Sequence, residues 1–299
     1  MMELIARHQV PAGTHKTRAS DYLIGVFSLL DTRSAVRKAL KRSQITVDHE
    51  KITSAHWIEA GQIIELWGAE FAELPSFSVE IKVLFEDDHL AVVEKPPGIE
   101  VRSKASKNLE NLLRGQLSNS PFGDSLNQPR AVHRLDYGTQ GLLLIAKTKS
   151  ALVYLSRSFE NREIRKVYQA VVHGKLPEAS GKWRGDIANQ SAQSEYRVLG
   201  CFPSLKSGHL SLLELSPITG RTHQLRIHCS EAGFPIVGDL KYIADAKTVK
   251  GKGLFLAALE LNFPHPQTGE ILEFKLECPA KFRSLLDREE RWFLRQGKP

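Results

Sequence analysis

The period of apolar and polar positions changes several times along the chain, and each change marks an element. Between residues 33 and 42, Val36 and Leu40 with Ala35 and Ala39 make one helical stripe, while Arg33, Arg37 and Lys41, beside Lys38 and Arg42, make a basic face. That spacing predicts an amphipathic helix lying on a small core, with Thr32 or Asp31 capping its start. Residues 44–48 and 61–66 read as short strands after it. Alternation over 79–85 and the apolar stretch 90–93 predict two more strands, separated by the acidic turn Glu86-Asp-Asp88. Lys95-Pro-Pro-Gly98 must then leave the sheet as a rigid turn, because prolines donate no ladder hydrogen bond and Gly98 accepts a positive φ. Residues 109–117 have helical spacing, and 118–130, with two prolines and a glycine, read as a flexible loop.

The run from Gly141 to Ala146 is continuously apolar, as suits a central strand covered on both faces. Residues 163–172 pass from a charged helix end into a strand, with Tyr168 at its start. The alternating segment 209–215 turns at Gly220 and enters a helix that Thr222 can cap. Residues 254–263 and 271–278 supply closing strands, and 281–295 a terminal helix.

A chain of 299 residues, 41% hydrophobic, is large enough for one big domain or two ordinary ones and is not expected to be disordered. Cys201, Cys229 and Cys278 stand far apart without a CxxC pair, so reduced, buried thiols are expected and neither a disulfide framework nor a thiolate zinc site. His223 and His228, five apart, are poorly spaced as metal ligands on one helical face and read as packing or hydrogen-bonding residues. No metal or cofactor site is expected. The longest apolar run, Leu142 to Ala146, is too short to cross a bilayer, so a cytoplasmic protein without a membrane partner is expected. A monomer is expected as well.

A net charge of +7 suits an acidic partner, and its distribution says more than its sum. Residues 1–75 carry nine basic and nine acidic side chains, so the excess belongs to 76–299, yet the basic block at 33–42 stands in the neutral part. That block fits either an ordinary solvated face or a grip on nucleic acid. The richest polar cluster is His133-Arg-Leu-Asp136, in a turn feeding the apolar run. Side chains held at the end of a rigid strand are placed for chemistry. Equally, Asp136 could cap the turn and Arg134 be a surface charge, since four residues recur by chance.

Two resemblances change that balance. Ala19-Ser-Asp-Tyr-Leu23, Arg33-Ser34, Ile45-Thr-Val47 and Gly61-Gln-Ile-Ile64 follow the order of a small RNA-binding module first described in a ribosomal small-subunit protein. It departs from that module around Ser43 and Asp48, where glycine and asparagine are common. The resemblance implies an RNA-binding module over 1–75, Pro75 as linker and a second domain starting near Phe77, with Arg33, Arg37, Lys38 and Lys41 on RNA backbone. Nearly the whole chain resembles the RluA-like family of RNA pseudouridine synthases. The resemblance rests on Val83-Leu-Phe-Glu-Asp-Asp88, Glu94-Lys-Pro-Pro-Gly98, His133-Arg-Leu-Asp136, Arg165-Lys-Val-Tyr168, Gly220-Arg-Thr-His-Gln-Leu-Arg-Ile-His228 and Phe263-Pro-His-Pro266 in that order. It implies an α+β fold, the pseudouridine synthase fold, with a mixed, mainly antiparallel sheet flanked by helices over 76–299. It also implies that Asp136 is the catalytic aspartate, Tyr168 the tyrosine against the target base, Arg221 the basic partner of Asp136 and Arg134 the side chain that fills the gap left by a flipped base. Gln140, Ala257 and Ile243 depart from the family pattern, at positions that bear on substrate choice and loop shape.

The chemistry so implied is coherent. Isomerising uridine breaks the glycosidic nitrogen–carbon bond, turns the uracil and joins C5 to the sugar, without redox change and hence without need of a cofactor. A carboxylate can attack or stabilise the electron-poor sugar carbon, as in glycoside cleavage, and a nearby arginine favours its charged form. Extruding the base costs roughly a few kcal/mol, which a ring beneath it and a side chain in the gap offset. The Tyr168 hydroxyl would also lie near the base and is expected to take part in proton transfer at C5. The rival readings are a catalytically inactive RNA-binding or ribosome-assembly factor on the same fold, and a methyltransferase, for which no glycine-rich cofactor cradle is present. Ribosomal RNA is the expected substrate, ahead of transfer RNA.

Overall fold

The computed structural model describes residues 2–27, 30, 33–69, 79–103, 108–243 and 253–296. The proposed caps Asp31 and Thr32, the linker at Pro75 and the domain start near Phe77 lie outside these. Contacts divide the chain into two compact units, Met1–Phe77 and Ser78–Pro299.

In the first unit the elements are β1 (Met2–Gln9), β2 (Thr17–Arg18), α1 (Ala19–Tyr22), α2 (Arg33–Lys41), β3 (Ile45–Val47), β4 (Glu50–Lys51), β5 (Trp57–Ile58) and β6 (Ile63–Ala69). One sheet runs β1-β6-β3-β4, all antiparallel. Helix α2 buries Val36, Ala39 and Leu40 among Ile45, Val47, Ile64 and Leu66, the stripe expected from its spacing. Ser43, Asp48 and His49 occupy the left-handed region at φ 54, 49 and 69, so the tight turns persist without glycine.

In the second unit the strands are β7 (Lys82–Glu86), β8 (Leu90–Lys95), β9 (Ser125–Ala131), β10 (Gln140–Thr148), β11 (Arg165–His173), β12 (Ser180–Ile187), β13 (Gln190–Ser204), β14 (Gly208–Pro217), β15 (Leu256–Pro264) and β16 (Ile271–Lys275). The helices are α3 (Leu109–Leu112), α4 (Lys149–Glu160), α5 (Gln224–Glu231) and α6 (Ala280–Gln296). The sheet runs β12-β13-β14-β11-β15-β10-β8-β7, with β16 on β15 and β9 on β10. Its ladders are antiparallel except for the short β10–β15 contact at Gln140–Ala257 and Gly141–Ala258, the mixed, mainly antiparallel α+β arrangement expected.

Strand β10 explains its own apolar run. Leu142 and Leu144 point to one face with Leu155 of α4 and Phe263, whereas Leu143 and Ile145 join the other core with Leu225 of α5 and Phe282 of α6. Every position is therefore buried, and period-2 patterning disappears. Three expectations fail. Much of the predicted loop 118–130 is strand β9, which pairs irregularly with β10 and so tolerates Pro129. Thr222 does not cap α5; His223 holds the N-cap in a left-handed conformation without a side-chain cap bond. Cys201 is exposed, although Cys229 is buried; all three cysteines are free. The long β12–β13 hairpin fell in a stretch where no element was expected.

Candidate active site

Asp136 lies in the turn between β9 and β10, and the backbone around it is tied down from several sides. Thr139 N donates to the Asp136 carbonyl at 3.0 Å, and Gly98 N, at the turn after β8, donates to the Tyr137 carbonyl at 2.7 Å. Lys95 Nζ donates to the carbonyls of Thr139, Pro96 and Tyr137 at 2.7, 3.0 and 3.3 Å. Lys95 is fully buried, so a cation braces the Asp136 turn through its carbonyls. Burial lowers its pKa to about 8, with the charge of Asp136 opposing the shift. Upstream, the His133 imidazole accepts from Leu144 N at 3.1 Å. Burial, reinforced by Lys166, lowers its pKa to about 3, which keeps the ring neutral and able to accept.

Helix α5 brings the cation that faces the Asp136 side chain, and this corrects the pairing expected with Arg221. Arg226 Nη1 is 3.3 Å from Asp136 Oδ2, while its Nε and Nη2 fork onto Asp239 at 2.7 and 2.9 Å. Arg221 precedes the helix and donates instead from Nε to the Ser191 carbonyl at 3.2 Å. Both arginines stand in one short motif; what selects Arg226 is its position within α5 and the buried Asp239, 13 residues further on, which no local pattern reveals. The charges of Asp239 and Asp136 outweigh burial and raise the Arg226 pKa. His223 completes the ring around the carboxylate, with Nε2 3.8 Å from Asp136 Oδ1 and Nδ1 2.8 Å from the Tyr242 hydroxyl.

Tyr168 is on β11 beside a bulge between Val167 and Tyr168 in the ladder to β15. It is buried, and burial followed by the charge of Asp136 raises its pKa. The side chains converge on a cleft of about 810 Å³ lined by Asp136, Tyr168, Arg134, Arg221, His223 and Arg226. That lies within the roughly 300–1,000 Å³ of small-molecule sites and leaves room for an extruded nucleotide. Arg134 is exposed at this cleft. The structure thus brings Asp136, Tyr168, Arg134 and Arg221 to one cavity and adds Arg226 and His223, while Lys95 supports the Asp136 turn through its carbonyls. In the first unit, Arg37, Lys38 and Lys41 are exposed on α2, whereas Arg33 pairs with Asp21. Among the described residues no group of three or more His, Cys, Asp or Glu gathers as a metal site, and no helix is long and apolar enough to cross a membrane.

Comparison with known proteins agrees with this architecture. The family model described as RNA pseudouridylate synthase matches residues 89–231. The chain is 31% identical over 280 residues to ribosomal large subunit pseudouridine synthase D of Nitrosomonas europaea, covering 85% of this chain and 79% of the relative. It is 35% identical to the dual-specificity RNA pseudouridine synthase RluA of Yersinia pestis, covering 67% of this chain and 99% of the relative. Among solved structures it is similar to human RNA pseudouridylate synthase domain containing 1, at 26% identity and a TM-score of 0.57, over 70% of this chain and 87% of that one.

Proposed function

This chain belongs to the RluA-like family of RNA pseudouridine synthases and is an enzyme that isomerises uridine in RNA; proceeding from that, we propose that it acts in the cytoplasm, as a monomer, on ribosomal RNA, with Asp136 as its reacting carboxylate. The observation that carries the assignment is the placing of Asp136 on the wall of the cleft, one oxygen engaged by Arg226 and the other facing His223. A carboxylate oxygen at the sugar serves either route to bond cleavage, attack at the sugar carbon or removal of a neighbouring sugar proton. Arg226 pairs with the carboxylate and fixes its orientation.

Tyr168 supplies the ring against which the freed uracil is held while it turns, and Arg134 fills the space left in the RNA stack. Arg221, free of the carboxylate, is placed for substrate phosphate. Arg37, Lys38 and Lys41, with Arg33 sharing its charge with Asp21, contact RNA backbone through the first unit. Ribosomal RNA is favoured because the relatives named above include a ribosomal large-subunit enzyme.

The test maps pseudouridines by carbodiimide-dependent primer stops in ribosomal and transfer RNA from cells with the wild-type protein, a deletion or Asp136→Asn. Loss of the same ribosomal site in both mutants is the expected result. Unchanged maps would point to an RNA-binding role without catalysis.

A further inference from the structure

We infer that His223, held by Tyr242, is a positioning residue that orients the free oxygen of Asp136 and gives this carboxylate a neutral hydrogen-bond donor to complement Arg226. The inference rests on the reading of Asp136 as the reacting carboxylate. The two oxygens of Asp136 face different partners: Oδ2 meets Arg226 Nη1 at 3.3 Å, and Oδ1 faces His223 Nε2 at 3.8 Å. At that separation Oδ1 is left open to the cleft, yet a small side-chain movement brings it into hydrogen-bond range.

Tyr242 determines what His223 can offer. Its hydroxyl lies 2.8 Å from Nδ1. Were Nδ1 the donor, the lone pair of Nε2 would face a carboxylate; with the hydroxyl donating to Nδ1, the proton sits on Nε2 and points at Oδ1. The same tyrosine carries the Arg226 guanidinium over its ring at 5.1 Å. Its backbone N–H donates to Asp239 Oδ1 at 3.1 Å, and its carbonyl accepts from the Ser230 hydroxyl of α5. One short turn, Asp239 to Tyr242, therefore sets both partners of Asp136.

The backbone of His223 is also unusual, at φ 57 in the left-handed region, where a non-glycine residue is retained against strain. The groups facing the imidazole are Asp136 from the turn before β10, Arg226 from α5, Lys241 and Tyr242 from the 239–242 turn, and Arg134. Burial and the three cations lower its pKa, with Asp136 alone opposing. A neutral ring orients Oδ1 without neutralising it, whereas an imidazolium would form a second full ion pair and blunt the carboxylate.

The experiment follows tritium release from C5 in ribosomal RNA labelled at that carbon and isolated from cells lacking the protein. Wild type, Asp136→Asn, His223→Gln, His223→Gly, Tyr242→Phe and the double variant His223→Gln/Tyr242→Phe are compared. Glycine suits the left-handed backbone and so guards against a folding defect in the glutamine variant. The expected result is a fall in kcat of about tenfold or more for both His223 variants with KM nearly unchanged, and a Tyr242→Phe loss that does not add to that of His223→Gln. Rates within about twofold of wild type for the His223 variants, a change confined to KM, or additive losses would overturn the inference. Full activity of Asp136→Asn would instead overturn the assignment beneath it, and the two failures are distinct.

Discussion

Arg226 divides one guanidinium between two carboxylates, reaching Asp136 Oδ2 with Nη1 at 3.3 Å and forking onto Asp239 with Nε and Nη2 at 2.7 and 2.9 Å. The fork fixes the plane of the group, because Asp239 is buried and accepts from the Lys241 and Tyr242 backbone as well. The contact to Asp136 is thereby pre-set before any substrate binds.

Lysine carries the same charge but cannot span both carboxylates. Arg226→Lys is expected to lower kcat by about a hundredfold while leaving RNA affinity close to wild type. Arg226→Met should in addition cost about 3–5 kcal/mol of stability, since it strands buried Asp239. Arg221→Ala, which removes a side chain bonded to the Ser191 carbonyl, is expected to raise KM and spare kcat. Single-turnover rates and thermal melts of the three variants check the set; a kcat collapse in Arg221→Ala with Arg226→Lys unharmed would return the role to Arg221.

Lys95 braces the Asp136 turn with a fully buried ammonium. Replacing it by methionine leaves the Thr139 carbonyl without its Lys95 donor, costing about 1–3 kcal/mol, while the Tyr137 carbonyl keeps Gly98 N; the turn loosens and lets Asp136 drift. Activity should fall steeply. The pH dependence is opposite to that of an ordinary ion pair. With the folded pKa lowered to about 8 from 10.5, the unfolded chain binds more protons between those values, so the wild type gains stability as pH rises through that window. Urea melts of wild type and Lys95→Met should therefore diverge above pH 8, with the wild type relatively more stable; parallel curves would remove the linkage.

Gly141, the second residue of β10, has φ +120, and a Cβ there would lie 2.0 Å from the Ala258 carbonyl oxygen. Nothing flexible can yield, because the obstacle is the backbone of β15. Gly141→Ala is expected to part the β10–β15 contact and destabilise the domain by several kcal/mol, seen as insoluble protein or a strongly lowered Tm. A folded, active Gly141→Ala would show that the two strands can separate without cost.

What could be read from residues alone follows the range of the interactions involved. The amphipathic stripe of α2, the buried run of β10 and the turn at Lys95-Pro-Pro-Gly98 are written in neighbouring positions, and they appear where expected. Strand β9 was hidden because its pairing with β10 is broken by a bulge and it carries Pro129, so it shows neither alternation nor a clean run. Choosing between Arg221 and Arg226 required knowing that Asp239 returns to α5, a contact of the folded chain only. His223 read as a hydrogen-bonding residue, and it is one, but its partner Tyr242 lies across the loop that follows the helix.

Tyr168 offers a ring and a hydroxyl, and the two can be separated. Burial and the nearby charge of Asp136 raise its pKa above the ordinary 10.0, so the hydroxyl is protonated at neutral pH. It can donate a hydrogen bond, or take the C5 proton as it hands its own to another acceptor, but it does not wait as a tyrosinate base. Tyr168→Phe keeps the ring and the burial and should bind RNA as the wild type does, yet release tritium from C5 about 10²–10⁴-fold more slowly if the hydroxyl moves a proton there. Tyr168→Leu should lose binding of the extruded base as well. Because the phenol does not ionise below its raised pKa, the rate of the wild type should show no alkaline fall from Tyr168 up to pH 10. Full isomerisation by Tyr168→Phe would leave stacking as the whole of its contribution, and the proton at C5 would then have to leave to another acceptor in the cleft.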